Sequence, residues 1–401
     1  MVIDLDLPGP AGPPTPPRAA RRRWWVPVLL VALLVPVPSG GPVTPPAPVV
    51  VLDGDGIGDL RADGDALVLM LRTAVAAYRM PAGDRRWSVP VEAGTQLVTA
   101  AGGRVVVAGP SALVGLDAAT GAEVWRRDGL QATAASTGGV LIARAGERLL
   151  GLDLGTGAVR WELATPSFRR VLAGAGGRVE IADLDAGGTL RIRDAATAAV
   201  TRTVSLPDLG AIDGFDISGE RLLAYSFERS TLLNTAVFDL TSGRRLWRHT
   251  TMAAGGGLWW CGALLCTGSV GRTTVVDPDT GAERWSLSGW ADLGPFDAGH
   301  MWATVPTPNA ADPAVGAVVV DAATGRIVRR FGAWDVVAAL PGRAVLVTGR
   351  NPGGSLIARL DLDTGAVTVL GRTEHWPAAP QCIATATLVA CHRERVSVWR
   401  T

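Results

Sequence analysis

The stretch Asp117-Ala118-Ala119-Thr120-Gly121-Ala122-Glu123-Val124-Trp125 decides the fold, because the chain repeats it. Asp153…Thr156-Gly157…Trp161, Asp239…Ser242-Gly243…Trp247 and Asp277…Thr280-Gly281…Trp285 carry it with the tryptophan included. Asp321…Thr324-Gly325 and Asp361…Thr364-Gly365 keep the turn but hold Arg329 and Val369 at the tryptophan position. Asp194…Thr197 has Ala198 in the glycine's place, and Arg79…Ala82-Gly83…Trp87 keeps only the glycine and the tryptophan. From Arg79 to Asp361 there are seven intervals over 282 residues, a mean period of about 40. A strand-built period of that length points to a closed array of blades.

Each copy reads as strand, turn, strand. Apolar runs such as Ala112-Leu113-Val114-Gly115-Leu116 precede the turn, and a short strand centred on tryptophan follows. The Asp carboxylate can close an Asx turn on the N–H groups ahead of it, and the Thr hydroxyl can assist. Glycine reaches the positive φ that the turn needs, whereas Ala198 reaches it only at a steric cost. A buried tryptophan between neighbouring blades would set their spacing. Upstream of the signatures lie further strands led by glycine turns, among them Gly102-Gly103-Arg104-Val105-Val106-Val107 and Gly138-Gly139-Val140-Leu141-Ile142. The result is about four short strands per period, the pattern of a propeller blade.

The signature Asp-x-x-Thr-Gly-x-x-x-Trp, preceded by Leu-Val-Gly-Leu or Leu-Leu-Gly-Leu, resembles the pyrroloquinoline-quinone (PQQ) repeat family of β-propellers. The resemblance runs from about Asp63 to the C-terminus. It implies the fold and leaves function open. The family holds quinone-dependent alcohol dehydrogenases and also propellers that bind no quinone, including a scaffold lipoprotein of outer-membrane assembly. The catalytic members carry adjacent cysteines and Glu, Asn or Asp groups that hold calcium beside the cofactor. No two cysteines are adjacent here, and no such site maps onto this chain residue by residue. No quinone is therefore expected.

The predicted fold is all-β: an eight-bladed β-propeller of four-stranded antiparallel blades over 49–401, with seven blades as the alternative. Apolar strands at Val49-Val50-Val51-Leu52 and Val396-Ser397-Val398-Trp399 fall outside the signatures, and are expected to share a closing blade that removes free sheet edges. A literal count would then be nine. The reading settles on eight by placing the weak copy at Arg79 or the degenerate one at Asp194 in an irregular blade.

The first 48 residues are not blade material. Residues 1–23 form a Pro- and Arg-rich tail expected to be disordered and cytoplasmic. Arg18, Arg21, Arg22 and Arg23 precede an apolar run, and no charge follows until Asp53. That asymmetry places the N-terminus inside and the propeller outside. Residues 24–42 are expected to be a transmembrane helix acting as a single-pass anchor, with a cleaved secretion signal as the alternative. A Pro-rich linker covers 43–48. The four cysteines agree with export: Cys261 and Cys266, and Cys382 and Cys391, each bracket a strand-turn-strand that a local disulfide could bridge. Free buried thiols are the other reading.

Chemistry elsewhere is sparse. His249, His300, His375 and His392 stand apart in different repeats, with no His-Glu-x-x-His, Gly-x-Ser-x-Gly or phosphate-binding loop. A formal net charge of +1 gives no reason to expect nucleic acid. One segment, Asp53-Gly54-Asp55-Gly56-Ile57-Gly58-Asp59, resembles an Asp-rich calcium loop, with Asp53, Asp55 and Asp59 as candidate ligands. Val51 stands where the first acidic ligand belongs, and the bland reading is a glycine-rich turn. The expected function is a non-catalytic, exported, membrane-tethered scaffold that binds an envelope protein or a small ligand at the propeller mouth. A quinone- or calcium-dependent oxidoreductase and an extracellular sensor are the alternatives.

Overall fold

The computed structural model describes residues 47–401, except 54–55, 165–167, 174–178, 229–231, 253–256, 270–271, 290–291, 297–298, 305–317, 332–333, 341–342, 349–354, 362–363, 374–380, 386 and 393–394. Its strands form nine four-stranded antiparallel sheets, all within the compact unit Pro45–Thr401. Blade 1 comprises Asp59–Asp63, Ala66–Met70, Ala74–Arg79 and Asp84–Pro90. Blades 2 to 8 begin at Gln96–Ala101, Gln131–Thr137, Phe168–Ala173, Gly214–Ser218, Leu258–Cys261, Asp292–Pro295 and Trp334–Leu340. Blade 9 takes Gln381–Ala384, Leu388–His392 and Arg395–Arg400 from the end of the chain and Val50–Asp53 from its beginning. The innermost strand of blade 1 touches those of both blade 2 and blade 9, which closes the ring.

The blade count corrects the expectation of eight or seven. Every signature builds the hairpin between the third and fourth strands of its own blade. In blade 9 that hairpin does not exist, because the third strand ends at Arg400 and the fourth is Val50–Asp53, paired Val50 with Val398 and Leu52 with Val396. Eight signatures therefore specify nine blades. Neither the copy at Arg79 nor that at Asp194 marks an irregular blade, since each sits in a complete four-stranded sheet. The transmembrane helix expected at 24–42 finds no support either. That segment lies outside the described residues, and among those residues no helix is long and apolar enough to cross a membrane.

The signature turns share one backbone bond, from the glycine (or Ala198) N–H to the carbonyl four residues before it, and the turn at Asp117 shows the full pattern. Gly121 N–H donates to the Asp117 carbonyl at 2.8 Å and Asp117 N–H to the Ala122 carbonyl at 2.9 Å. One carboxylate oxygen of Asp117 collects the Thr120 hydroxyl, the Thr120 N–H and the Ala119 N–H at 3.0–3.1 Å. Gly121 sits at φ 75°, in the left-handed region that L-residues occupy at a cost of about 1–2 kcal/mol. A β-bulge follows in each of these eight hairpins, between Gly115 and Leu116 in blade 2 and at the matching place in the others except blade 8, where it falls two residues earlier, between Ile357 and Ala358.

Burial is divided among the joints between blades. Among the described residues there are nine apolar clusters, and each lies between two neighbouring blades. At the rim of a joint the signature tryptophan of one blade lies on the signature glycine of the next. Its indole N–H donates to a carbonyl in that next turn: Trp87 to Ala118 at 2.9 Å, Trp125 to Leu154 at 3.0 Å, Trp247 to Pro278 at 2.8 Å and Trp285 to Ala322 at 3.0 Å. A Cβ on Gly121 would stand 2.7 Å from the Trp87 ring, and one on Gly157 2.7 Å from Trp125. The glycine thus serves the neighbour as well as its own turn. At the closing joint Val50 takes the tryptophan's place, 2.7 Å from where a Cβ on Gly83 would be. Blade 8 holds Val369 at that position, and the blade after it has no signature turn to receive an indole.

The joint between blades 3 and 4 departs from the pattern. Ala198 occupies the glycine position at φ 58°, the one positive-φ residue among the described residues that is not glycine. The Trp161 indole N–H, which would otherwise reach the Ala195 carbonyl, is buried with no acceptor among the described residues. The Trp161 ring keeps its place over Gly151, as Trp125 does over Gly115, so the departure lies in how the alanine-bearing turn of blade 4 meets it.

Two outcomes are expected. Ala198→Gly relieves the left-handed alanine and lets Trp161 make its hydrogen bond, so urea denaturation should show a gain of about 1–2 kcal/mol; an unchanged midpoint would contradict this account of the joint. The second concerns acid. The Thr120, Ser242 and Thr324 hydroxyls hold the Asp117, Asp239 and Asp321 carboxyls below the ordinary value of 3.8, and Arg160 with Thr156 does so for Asp153. At Asp277 burial pulls upward and is outweighed by Arg284 and the turn N–H groups. A depressed carboxyl pKa contributes stability above the unfolded value and loses it as pH falls through the folded one. Thr120→Val should therefore be less stable than the parent at neutral pH, with the gap narrowing below about pH 3.8. A gap of constant size down to acid-unfolding conditions would refute the assignment.

Candidate functional site

Because strand direction alternates, signature turns and first-to-second turns share one face of the ring. Second-to-third turns and the linkers between blades share the other, the linker face. On the signature face the distinctive side chains are already engaged. Arg104 and Arg221 bind the signature carboxylates Asp117 and Asp239 at 3.2 and 2.7 Å, and Arg160 and Arg284 reach back to Asp153 and Asp277. These groups hold the fold.

The linker face is uneven, and blade 5 makes it so. Its second, third and fourth strands, Arg221–Glu228, Leu232–Asp239 and Arg245–Met252, have eight residues each. A two-residue extension beyond the six typical of the other blades adds about 7 Å. Phe227 stands on this crest and is 53 % exposed, more than any other large apolar side chain among the described residues. Tyr225 meets it edge-on, with ring centroids 6.2 Å apart.

The crest is fixed from both sides. Asp213 accepts the Phe227 N–H on its carboxylate at 2.6 Å and donates its own N–H to the Tyr225 carbonyl at 2.8 Å. From blade 4, Arg170 donates to the Tyr225 hydroxyl at 2.9 Å and to the Phe215 carbonyl at 3.0 Å. Gly214 leaves room for the phenol, since a Cβ there would overlap the Tyr225 hydroxyl. Beside Arg170, Arg169 points to the other face of blade 4. It binds the buried Asp183 at 2.5 Å, and Arg193 binds the second oxygen of that carboxylate at 2.8 Å. Blade 4 is thereby tied to the crest through a strand that is itself held by a buried charge cluster. An exposed phenylalanine, a tyrosine and an arginine in a fixed array have the composition of a protein-binding anchor.

The candidate residues read from the sequence fall elsewhere. Asp53 ends the closing strand opposite Arg395, and Asp55 lies outside the described residues. The Asp59 carboxylate takes the Leu60 N–H at 2.7 Å and Arg61 at 2.9 Å. No group of three or more His, Cys, Asp or Glu arranged to hold a metal occurs among the described residues. His392 is buried in blade 9, and desolvation lowers its pKa against the pull of Asp59; His375 lies outside the described residues.

The cysteines form the two disulfides expected of them. Cys261–Cys266 and Cys382–Cys391, with Cα atoms 5.8 and 4.1 Å apart, each join the first and second strands of one blade, blades 6 and 9. The crest residues were missed. A signal existed: the chain has only two tyrosines and six phenylalanines, and Tyr225 and Phe227 share one strand two positions apart.

A family model described as outer membrane protein assembly factor BamB matches residues 62–287, and the chain belongs to that family of PQQ-like propellers. The match ends two residues beyond Trp285, the last tryptophan of the series. Among solved structures the chain is similar to BamB from Moraxella catarrhalis, with 17% identity and a TM-score of 0.45 over 88% of this chain and 99% of that one. It is also similar to the computationally designed Ika8 protein (15% identity, TM-score 0.45, 89% and 100% covered) and to Sqt1 of Saccharomyces cerevisiae (10%, 0.45, 89% and 99%). No curated protein matches.

Proposed function

We propose that this propeller is an exported scaffold of the cell envelope that binds a protein partner on its linker face and performs no catalysis. The crest of Tyr225, Phe227 and Arg170 carries the reading. It presents apolar area on a backbone held by Asp213, so little ordering entropy is lost on binding. Membership of a family described by an assembly factor supports a binding role. The two disulfides support export, because such bonds persist in oxidising compartments. The polar groups of the signature are engaged in turns and joints, which supports the non-catalytic reading.

Two experiments test the proposal. Immobilised full-length chain is expected to retain a discrete polypeptide from envelope extract of its own host. Phe227→Ala should weaken that retention about 30-fold, the loss of roughly 2 kcal/mol that marks an anchor residue, with no change in urea midpoint. Equal retention by parent and variant would reject the crest, and alcohol oxidation on adding quinone and calcium would reject the non-catalytic reading. For export, alkylation of the chain recovered from envelope fractions should find no free thiol; four reactive cysteines would contradict it.

A further inference from the structure

The crest holds one cation whose charge is not spent. Arg170 lies on the innermost strand of blade 4, Phe168–Ala173, and is exposed. Its Nε donates to the Phe215 carbonyl at 3.0 Å and its Nη2 to the Tyr225 hydroxyl at 2.9 Å. Both acceptors are neutral. A guanidinium carries five N–H donors in a fixed planar fork, and these two bonds use the edge shared by Nε and Nη2. The other edge, one N–H from each of Nη1 and Nη2, has no acceptor among the described residues.

The carboxylates of the adjoining strands do not pair with it. Within blade 4, Arg169 and Arg193 share the single carboxylate of Asp183, and Arg191 takes Asp185. Three arginines thus consume two carboxylates there, and Arg170 is a fourth. In blade 5, Asp213 directs its carboxylate at the Phe227 N–H and Asp216 at the Ile217 N–H. Neither of these, nor Glu228 beyond Phe227, forms an ion pair with Arg170 among the described residues.

Tyr225 joins this cation to the exposed phenylalanine. Its hydroxyl accepts from Nη2 and its ring centroid lies 6.2 Å from that of Phe227, so Nη2 is no more than about 12 Å from the Phe227 ring, the reach of three to four extended residues. An arginine edge of this kind matches the two oxygens of a carboxylate, and its two neutral bonds hold it in place before a ligand arrives. We propose that the crest binds a protein segment bearing an aspartate or glutamate side chain. Both oxygens of that carboxylate take the free Nη1–Nη2 edge of Arg170, and an apolar side chain within four residues of it packs on Phe227. This inference rests on the crest being the binding surface, and it adds the charge of the partner and the residue that selects it.

The test pans a displayed library of random heptapeptides on the immobilised full chain. Clones retained by the parent and lost on Phe227→Ala define the ligands of the crest. They are expected to be enriched in aspartate or glutamate within four residues of an apolar position, and panning on Arg170→Gln should lose that enrichment. A synthetic peptide from the strongest clone should bind the parent about fivefold more tightly than its amide counterpart, as one exposed bidentate pair predicts. Arg170→Gln should bind the two equally. Arg170→Lys, which keeps the charge without the fork, should regain part of the preference, and Tyr225→Phe, which removes only the hydroxyl, should retain it. Phe227-dependent clones without acidic enrichment, or the same preference for acid over amide in the parent and Arg170→Gln, would overturn the proposal and leave the crest standing. Clones indifferent to Phe227→Ala, or no clones, would remove the crest and this inference with it.

Discussion

The ring depends on one contact: an indole laid flat on a glycine of the neighbouring blade, with its N–H directed at a carbonyl in the same turn. A blade is four short strands with two apolar faces and cannot bury them alone. Each face needs a neighbour at a fixed distance, and at four joints the tryptophan sets that distance through a hydrogen bond of 2.8–3.0 Å. The turn that receives it is organised by its own Asp carboxylate. One short motif therefore does two jobs in two blades. This is why it recurs as a unit, and why the joint whose turn carries Ala198 is the one where the indole N–H of Trp161 finds no acceptor among the described residues.

Where the motif is absent, the structure shows what replaces it. Arg329 extends over Gly365 and reaches the Thr364 carbonyl at 3.4 Å, standing in for an indole with a longer donor. Arg202 holds the position in blade 4, and Gly243 there lies against the backbone of Ser205. Val50 serves the joint that the two chain ends close. The ring tolerates these substitutions because every joint also carries its own apolar cluster, so the rim contact aligns blades whose faces already adhere.

Fold class, strand order within a blade and the disulfide pairings were legible in the sequence because each has a local signal: a periodic turn, a glycine-led strand, a pair of cysteines bracketing a hairpin. Blade number was less legible for a specific reason. The signature marks hairpins between third and fourth strands, and the blade shared by Val50–Asp53 and Arg395–Arg400 has no such hairpin to mark. Counting motifs counts connections, and a ring closed by its termini has one connection fewer than it has blades. The steric cost of Ala198 could be read directly, but its consequence for Trp161, 37 residues earlier, required the neighbouring blade. The crest was hidden for a similar reason: Arg170 and Tyr225 are 55 residues apart, and only the packing of blade 4 on blade 5 brings them together. The proposed binding crest lies where the regular repeat is interrupted by the lengthened strands of blade 5.

The coupling across a single joint tests this account most directly. In a double-mutant cycle between Trp125 and Gly157, Trp125→Phe removes the indole N–H and Gly157→Ala places a methyl in the ring's seat. If the two act through one contact, Trp125→Phe should cost about 1 kcal/mol in the parent and close to nothing beside Gly157→Ala. Strictly additive losses would show that the indole and the glycine are independent, and that the joints are held by their apolar clusters alone.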